Sequence, residues 1–399
     1  MTISVENSDV KTADELYYDP YSVELNMNPY PVFARIREEA PLYYNDKHDF
    51  YALSRYDDVN KALIDHETFI SGKGALLEII KSGMEIPPGT LIFEDPPLHN
   101  IQRNLLSRMF TPRKVAALEP QIREFTARCL DPLVGTGKFD FVNDLGEQMP
   151  MRVIGMLLGI PEEHQRRVAD HGEATLQGEQ TLMATGEVFA EFLDYRTEHP
   201  SDDIMTELLN VEFTDETGTV RRLRREELLM YLTVVATAGA ETTTRLIGWA
   251  GKTLAENPDQ RRELVENPAL IPQAIEEILR WEPPALQMAR YVARDAEYHG
   301  QTIPEGSAIL LLIGAANRDH RRFPPDGDVF DIHREQHSHL TFGAGTHFCM
   351  GNALARMEGR IALEEILKRF PTWEVDWPNA RPSQTTAVRG WEAMPTFVP

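Results

Sequence analysis

The chain has 399 residues, and its 42% hydrophobic content is sufficient for a large core and too high for a disordered polymer. Acidic residues outnumber basic residues by 63 to 40, and the net charge of −23 argues against binding to nucleic acid or to an anionic membrane surface. Only two cysteines occur, without a C-x-x-C motif, which favours free thiols in a reducing compartment.

The N-terminal segment gives no sign of export or membrane insertion. Residues Met1 to Tyr18 are polar and acidic, unlike a secretory signal peptide. The most apolar run, Leu228 to Ala240, is shorter than the roughly 20 residues that span a bilayer. We therefore expect a cytoplasmic protein that does not enter a membrane.

Helical patterns dominate the chain. Tyr30 to Glu39 has helical spacing, and the alternating, aromatic-rich segment from Pro41 to Ser54 predicts a hairpin. Helical periodicity predominates in Arg113 to Leu133, Arg152 to Leu158, Val188 to Tyr195, Glu226 to Leu254, Pro258 to Val265, Pro272 to Trp281 and Ala353 to Phe370. Short strands are predicted at Arg290 to Arg294, at Ala308 to Ile313 and near the C-terminus. The predicted fold class is mainly α with small β-sheets, and the lack of repeats or Gly/Ser linkers favours one domain.

The segment from Phe342 to Gly351 reads FGAGTHFCMG and surrounds Cys349 with glycines. Glycines let the backbone fold under the sulfur and direct N–H groups at it, and the following helix N-terminus favours a thiolate. A shielded thiolate is suited to be the proximal ligand of a haem iron. Two other interpretations fit these residues: a buried structural cysteine, or a nucleophile paired with His347 as its base.

The full pattern F-G-x-G-x-H-x-C-x-G resembles the cysteine loop of the cytochrome P450 haem-thiolate monooxygenases, and the resemblance extends from about Leu16 to the end. It implies the α-rich triangular prism of that family as a single domain over 1–399, with a small β-rich N-terminal region and a large helical body. It also implies haem b (iron protoporphyrin IX) with Cys349 as axial ligand, cradled by Phe342, Gly343 and Gly351. The absence of C-x-x-C-H argues against thioether attachment.

A second motif, Ala238 to Thr243, reads AGAETT inside the apolar helix. Taken alone, Glu241 is equally explained as a charge on a wet face and the threonines as residues that bond back to the helix. The resemblance implies that Thr242 holds dioxygen and a water and that Glu241 relays protons. It also implies that Gly239 loosens the helix to make room.

A third motif contains Glu277 and Arg280, three residues apart before a pair of prolines. Such pairs usually decorate helix surfaces. The resemblance implies instead a buried Glu-x-x-Arg pair that supports the core beneath the cysteine loop. The family commonly adds an arginine just before the position of Phe330, where this chain has Val329, so the third partner stays open between His333 and Arg334.

Basic residues recur at four separate places in this acidic chain. His99 and Arg103 are four residues apart on a predicted helix and share a face. Together with Arg290 and His347, they are implied by the resemblance to bind the two haem propionates, because charge-assisted bonds suit carboxylates.

The resemblance also places mostly apolar residues at the distal pocket, although such residues belong to a core more often than to a pocket. They are Val234, Thr237, Ala238, Leu286, Met288 and Trp391. A hydrophobic substrate is therefore expected, a terpenoid, a steroid or a lipid-like molecule, with a small aromatic compound second. The stretch between Pro161 and Asp202 is shorter than the lid helices usual in the family.

The expected activity is a monooxygenase reaction with dioxygen, with electrons from a ferredoxin and ferredoxin reductase, by a monomer. Basic residues around the cysteine loop could dock an acidic ferredoxin, unless they are solvated or already paired; they are Arg103, Arg108, Arg113, Lys114, Arg356 and Arg360. A peroxide-driven peroxygenase, a haem-based gas sensor and a Cys/His hydrolase are the alternatives. The Glu241–Thr242 pair favours the monooxygenase.

Overall fold

The computed structural model describes residues 16–86, 89–161, 182–335, 337–385 and 387–399. Helices make up most of this part of the chain. The α-helices are α1 Val23–Met27, α2 Tyr30–Glu39, α3 Tyr56–Ile64, α4 Leu77–Ser82, α5 Leu98–Leu106, α6 Pro112–Leu130, α7 Gln148–Leu158, α8 Leu182–Glu198, α9 Ile204–Asn210, α10 Arg225–Glu256, α11 Pro258–Glu266, α12 Ile271–Trp281, α13 Ile313–Ala316 and α14 Asn352–Arg369. A π-helical segment, Phe141–Gly146, precedes α7, and short 3-10 turns link other helices.

The strands are short. They are β1 Leu42–Asn45, β2 Phe50–Leu53, β3 Phe69–Ile70, β4 Lys138–Asp140, β5 Glu212–Thr214, β6 Val220–Arg222, β7 Met288–Val292, β8 Ala296–Tyr298, β9 Gln301–Ile303, β10 Ala308–Leu311, β11 Glu374–Val375, β12 Arg381–Pro382, β13 Trp391–Ala393 and β14 Pro395–Phe397. The largest sheet has the order β1-β2-β10-β7-β3, in which β10 runs parallel to β2 and the other pairs are antiparallel. A second sheet, β11-β14-β4, pairs the C-terminal end with residues before α7.

Helix α10 forms the centre of the largest hydrophobic cluster. It packs against α7, α14 and the π-helical segment, and residues on all its sides are buried, including Trp249. The Glu227 carboxylate accepts the backbone N–H of Arg224 at 2.8 Å, which satisfies one of the free donors at the helix start. A long helix that is apolar on most faces is stable only inside a protein, so its polar residues stand out as candidates for function.

The structure confirms the predicted fold class, and most predicted elements agree with it to within a few residues. The hairpin predicted at Pro41 to Ser54 is β1–β2, and the helix predicted at Glu226 to Leu254 is α10. The helix predicted at Val188 to Tyr195 is longer, because α8 begins at Leu182. The expectation about lid length falls partly on 162–181, outside the described residues. Among the helices described, none combines the length and the apolar character that crossing a membrane requires.

Candidate active site

Cys349 lies in a tight loop between the 3-10 turn Gly345–His347 and the start of α14. Its backbone N–H donates to the carbonyl of Phe342 at 2.8 Å, which closes the loop. Gly343 and Gly345 have φ of +69° and +67°, in the left-handed region that favours glycine. A Cβ on Gly345 would also lie 3.0 Å from the Ile64 backbone, so the loop packs closely on α3.

The sulfur of Cys349 is enclosed by hydrogen-bond donors and positive charges. Burial raises the pKa of the Cys349 thiol, and the N–H groups of Gly351 and Asn352 and the charges of Arg103 and Arg356 act against it. The donors expected at this helix start are therefore present, but burial outweighs them. A thiol that coordinates a metal cation is deprotonated outright, so the site suits a thiolate ligand better than a free thiolate.

The four predicted propionate donors come together above this loop. His99 on α5 and His347 have ring centroids 4.3 Å apart, and Arg290 on β7 is 3% exposed. Burial, followed by the charges of Arg290, His99 and Arg103, lowers the pKa of His347 to about 3. Arg103 donates to the Phe348 carbonyl at 2.5 Å, which ties α5 to the residue before the cysteine.

This basic cluster fits an anionic group. The Nε2 atoms of His99 and His347 are buried and have no hydrogen-bond partner in the described part of the chain. The Arg290 guanidinium donates to the neighbouring Ala289 carbonyl at 2.8 Å, and its pKa is lowered by burial to about 10. Buried polar atoms without hydrogen-bond partners are destabilising. The carboxylates of a haem would supply partners for the histidine rings and for Arg290, so the residues present fit that group.

Helix α10 is open to its surroundings at the predicted oxygen-activation motif. The helix is buried from Tyr231 to Ala236 and again from Thr243 to Gly251, but Ala238 is exposed. Thr237, Gly239, Glu241 and Thr242 are intermediate in exposure. This face of the helix is therefore accessible in the middle of the core instead of being packed against other side chains.

Gly239 does not have the effect expected from the sequence. The α-helix continues through this position, from Arg225 to Glu256, so no loosening is seen. A Cβ on Gly239 would lie 2.8 Å from the Cδ1 atom of Ile154. The glycine therefore allows α7 to approach α10 closely.

The acid and the alcohol on α10 have different partners. The hydroxyl of Thr242 donates to the Ala238 carbonyl at 2.8 Å, a bond back to the preceding turn. Oε1 of Glu241 lies 3.4 Å from Nη2 of Arg245 and 3.5 Å from Oγ1 of Thr385. Burial raises the pKa of Glu241, and Arg245 opposes that effect. Arg245 and Thr385 were not identified from the sequence. Arg245 could have been noticed, because it is a cation within the apolar run of α10.

Glu277 and Arg280 form a buried pair with two bonds of 2.7 Å. Arg334 is the third partner, with its Nε atom 3.2 Å from Glu277 Oε1, whereas His333 pairs with Glu263 at 2.8 Å.

The predicted pocket residues do not all share one surface. Val234, Thr237 and Ala238 lie at positions i, i+3 and i+4 of α10 and therefore share the face that opens at Ala238. Met288 is half-buried on β7. Leu286 is buried in a separate hydrophobic cluster that includes Tyr18 and Phe33, and a Cβ on Gly314 would lie 2.6 Å from it.

Trp391 packs as a core residue. A Cβ on Gly248 would lie 3.4 Å from its ring, and the rings of Trp249 and Trp377 lie 6.0 and 5.9 Å away between centroids. These contacts are more than one helical turn beyond Thr242. Trp391 and Leu286 therefore lie apart from the face of α10 that opens at Ala238, and their place in the pocket stays a prediction.

Comparisons with known proteins agree with this geometry. The family model for cytochrome P450 matches residues 141–387. The chain is 34% identical to the vitamin D(3) 25-hydroxylase of Pseudonocardia autotrophica over 95% of this chain and 96% of the relative.

Two solved structures are also similar. Cytochrome P450 CYP109Q5 from Chondromyces apiculatus has a TM-score of 0.85 and 32% identity, and covers 96% of this chain and 98% of its own. CYP109E1 from Bacillus megaterium, in complex with testosterone, has a TM-score of 0.82 and 29% identity. The match covers 93% of this chain and 99% of the CYP109E1 chain. The chain therefore belongs to the cytochrome P450 family of haem-thiolate monooxygenases.

Proposed function

We propose that the chain inserts one atom of dioxygen into a small or medium-sized hydrophobic substrate. The observation that carries this proposal is the opening of α10 at Ala238, beside which Glu241 and Thr242 lie on an otherwise buried helix. Cys349 would ligate the iron, within the loop that includes Phe342, Gly343 and Gly351. The basic cluster of His99, Arg103, Arg290 and His347 would hold the haem carboxylates.

A haem with a thiolate ligand supplies the activation of dioxygen. The residues of this chain would supply the protons. Because the Thr242 hydroxyl gives its hydrogen to the Ala238 carbonyl, its oxygen is free to accept a hydrogen bond from a water or a substrate proton donor. Burial raises the pKa of Glu241, so this carboxyl holds a proton more readily than an exposed glutamate and is suited to pass it to the pocket.

Substitutions at this pair test the proposal. In Thr242→Ala we expect haem and substrate binding to persist while electrons drain into hydrogen peroxide, because the acceptor that orients the proton donor is gone. In Glu241→Gln we expect turnover to fall by on the order of 10²-fold, as for other positioned acids and bases. The measurement is product formed per reduced nicotinamide consumed, with a surrogate ferredoxin system.

Two matched variants control this experiment. Thr233 makes the same bond to the preceding turn of α10, at 2.8 Å, but is buried away from the opening. Glu256 is an exposed acid at the end of the same helix. Thr233→Ala and Glu256→Gln should leave coupling unchanged. Unchanged coupling in Thr242→Ala and Glu241→Gln as well would favour a peroxygenase or a haem-based sensor.

We propose a steroid, terpenoid or lipid-like substrate, with small aromatic compounds second. The apolar face of Val234 and Ala238 supports this class, and so do the vitamin D(3) hydroxylase and the testosterone complex among the similar proteins.

Steroids and terpenoids should shift the spin-state spectrum of the haem protein, and Ala238→Phe should abolish the shift by filling the opening. Ala117→Phe, at an exposed alanine on α6, should retain it. Exclusive binding of highly charged compounds would contradict the apolar pocket.

We propose an acidic ferredoxin as electron donor, bound on the side of the cysteine loop. Most cations expected there already have partners: Lys114 with Glu207 at 2.6 Å, Arg356 with Glu276 at 2.6 Å, Arg360 with Glu119 at 2.8 Å and Arg103 with the Phe348 carbonyl. Arg108 and Arg113 are exposed and have no ion pair with a described residue.

Arg108 and Arg113 should therefore make the larger contribution to ferredoxin docking. Arg108→Glu with Arg113→Glu should slow reduction by ferredoxin and weaken its salt dependence. If ferredoxin reduced this double variant at low salt as fast as it reduces the unmodified protein, the docking surface would lie elsewhere.

We further propose one domain over 1–399. This is supported by the pairing of β4 with β14 and of β2 with β10, which joins segments distant in the chain. The cytoplasmic location and the monomeric state remain predictions.

A further inference from the structure

Arg245 is a buried cation that joins α10 to the C-terminal hairpin β12–β13. It lies one turn after Glu241 and is 6% exposed. Its Nη2 atom donates to Oγ of Ser383 at 3.0 Å, and its Nη1 atom donates to the backbone carbonyl of Trp391. The planar fork of an arginine can make both bonds at once, which fixes the position of the charge.

The hairpin is shaped to accommodate this arginine. A Cβ on Gly390 would lie 2.5 Å from Cδ of Arg245, so the aliphatic part of the side chain runs directly across the glycine. The neighbouring residue, Arg389, is fully buried and pairs with Glu282 and the hydroxyl of Tyr30. The turn that receives Arg245 is therefore itself anchored in the core.

The same guanidinium faces the acid of the proposed proton relay. Both contacts of Glu241, to Arg245 at 3.4 Å and to Thr385 at 3.5 Å, use the single oxygen Oε1. These distances are at the limit for hydrogen bonds, so the charge of Arg245 acts mainly through its field, which is strong where water is excluded. Among the described residues, Arg245 is the charged group that acts on Glu241, and the hairpin contributes the neutral hydroxyl of Thr385.

We propose that Arg245 is a positioning residue for oxygen activation: seated on the β12–β13 hairpin, it keeps the Glu241 carboxyl beside Thr385 and sets how readily that carboxyl holds its proton. The inference rests on the proposed role of Glu241. Its consequence is that proton delivery depends on the seating of the hairpin, through Ser383 and the Trp391 carbonyl.

Infrared spectroscopy of the haem-loaded protein, without turnover, tests this directly. The protonated-carboxyl band that is lost in Glu241→Gln identifies Glu241, and its intensity against pH gives the pKa. Removal of the positive charge in Arg245→Met destabilises the carboxylate, so the pKa should rise by about one unit or more. Arg245→Lys keeps the positive charge but lacks the planar fork. The Glu241 pKa in this variant should therefore lie between those of the unmodified protein and Arg245→Met.

The pH profile of coupled turnover should move in the same direction. Since the protonated acid is the donor, its contribution declines as pH rises through its pKa, and this decline should lie at higher pH in Arg245→Met. Ser383→Ala removes one of the two hairpin bonds and should give a smaller shift. Lys252→Met, which removes a cation paired at i,i+4 with Glu256 on the same helix, should give none.

The outcomes separate this inference from the proposed function. If Glu241→Gln leaves coupling unchanged, the proton relay itself is wrong. If Glu241→Gln uncouples turnover but the Glu241 titration is the same in Arg245→Met, the positioning role of Arg245 is overturned alone. If Arg245→Met fails to fold, Arg245→Gln replaces it, because the amide can still donate to the hairpin but carries no charge, and an unchanged Glu241 titration in that variant overturns the role equally.

Discussion

Replacement of Cys349 by serine is expected to remove the red-shifted absorption band that the reduced, carbon monoxide-bound protein gives with a thiolate ligand. A hydroxyl oxygen cannot replace the soft, charged sulfur donor at the iron. The N–H groups of Gly351 and Asn352 and the charges of Arg103 and Arg356 would then surround a neutral hydroxyl. We expect complete loss of the band and of monooxygenase turnover.

The second cysteine provides the control. Cys129 lies on α6, packed against the main hydrophobic cluster, and burial raises the pKa of its thiol to about 11. It has neither the glycine loop nor the converging donors of Cys349. Cys129→Ser should retain the band in full. The assignment of the ligand would be wrong if Cys129→Ser abolished the band while Cys349→Ser kept it.

Local sequence signals were enough to predict the elements that carry the site. The loop around Cys349 has left-handed backbone at Gly343 and Gly345, and the glycines that permit this conformation are visible in the sequence. The length and apolar character of α10 were equally visible, because a core helix must be apolar on most faces. Short polar strands such as β5 and β6 carry a much weaker signal and were not predicted.

Contacts between distant segments could not be predicted in the same way. The sequence left the third partner of the Glu277–Arg280 pair open between His333 and Arg334, and only the structure shows that it is Arg334, while Val329 contributes its carbonyl. The path of the backbone between these positions decides which side chain reaches Glu277, and no local pattern encodes it. The same reason explains why the link between Arg245 and the C-terminal hairpin was missed.

Loss of Arg280 is expected to have the second large effect, on the fold and on haem incorporation. Its guanidinium makes two bonds to Glu277 at 2.7 Å and donates to the carbonyls of Asn317 and Gly327 at 2.7 Å. In Arg280→Ala, the buried Glu277 carboxylate keeps Arg334 but loses its closest partner. We expect a loss of about 3 to 5 kcal/mol in the free energy of unfolding, as for other buried pairs from which one partner is removed.

The destabilisation should extend to the haem site because Arg280 holds the backbone on which the cysteine loop rests. Asn317, whose carbonyl it binds, uses its amide oxygen to accept the N–H of Leu340 at 2.7 Å, two residues before the loop begins. Haem occupancy and denaturant unfolding measure the effect together.

Arg262→Ala is the matched control, because Arg262 and Asp259 form a pair with the same i,i+3 spacing in which both side chains are mostly exposed. Arg280→Lys should fall between the two, since a single ammonium cannot replace the fork. Full haem occupancy and unchanged unfolding in Arg280→Ala would mean that this pair does not support the cysteine loop.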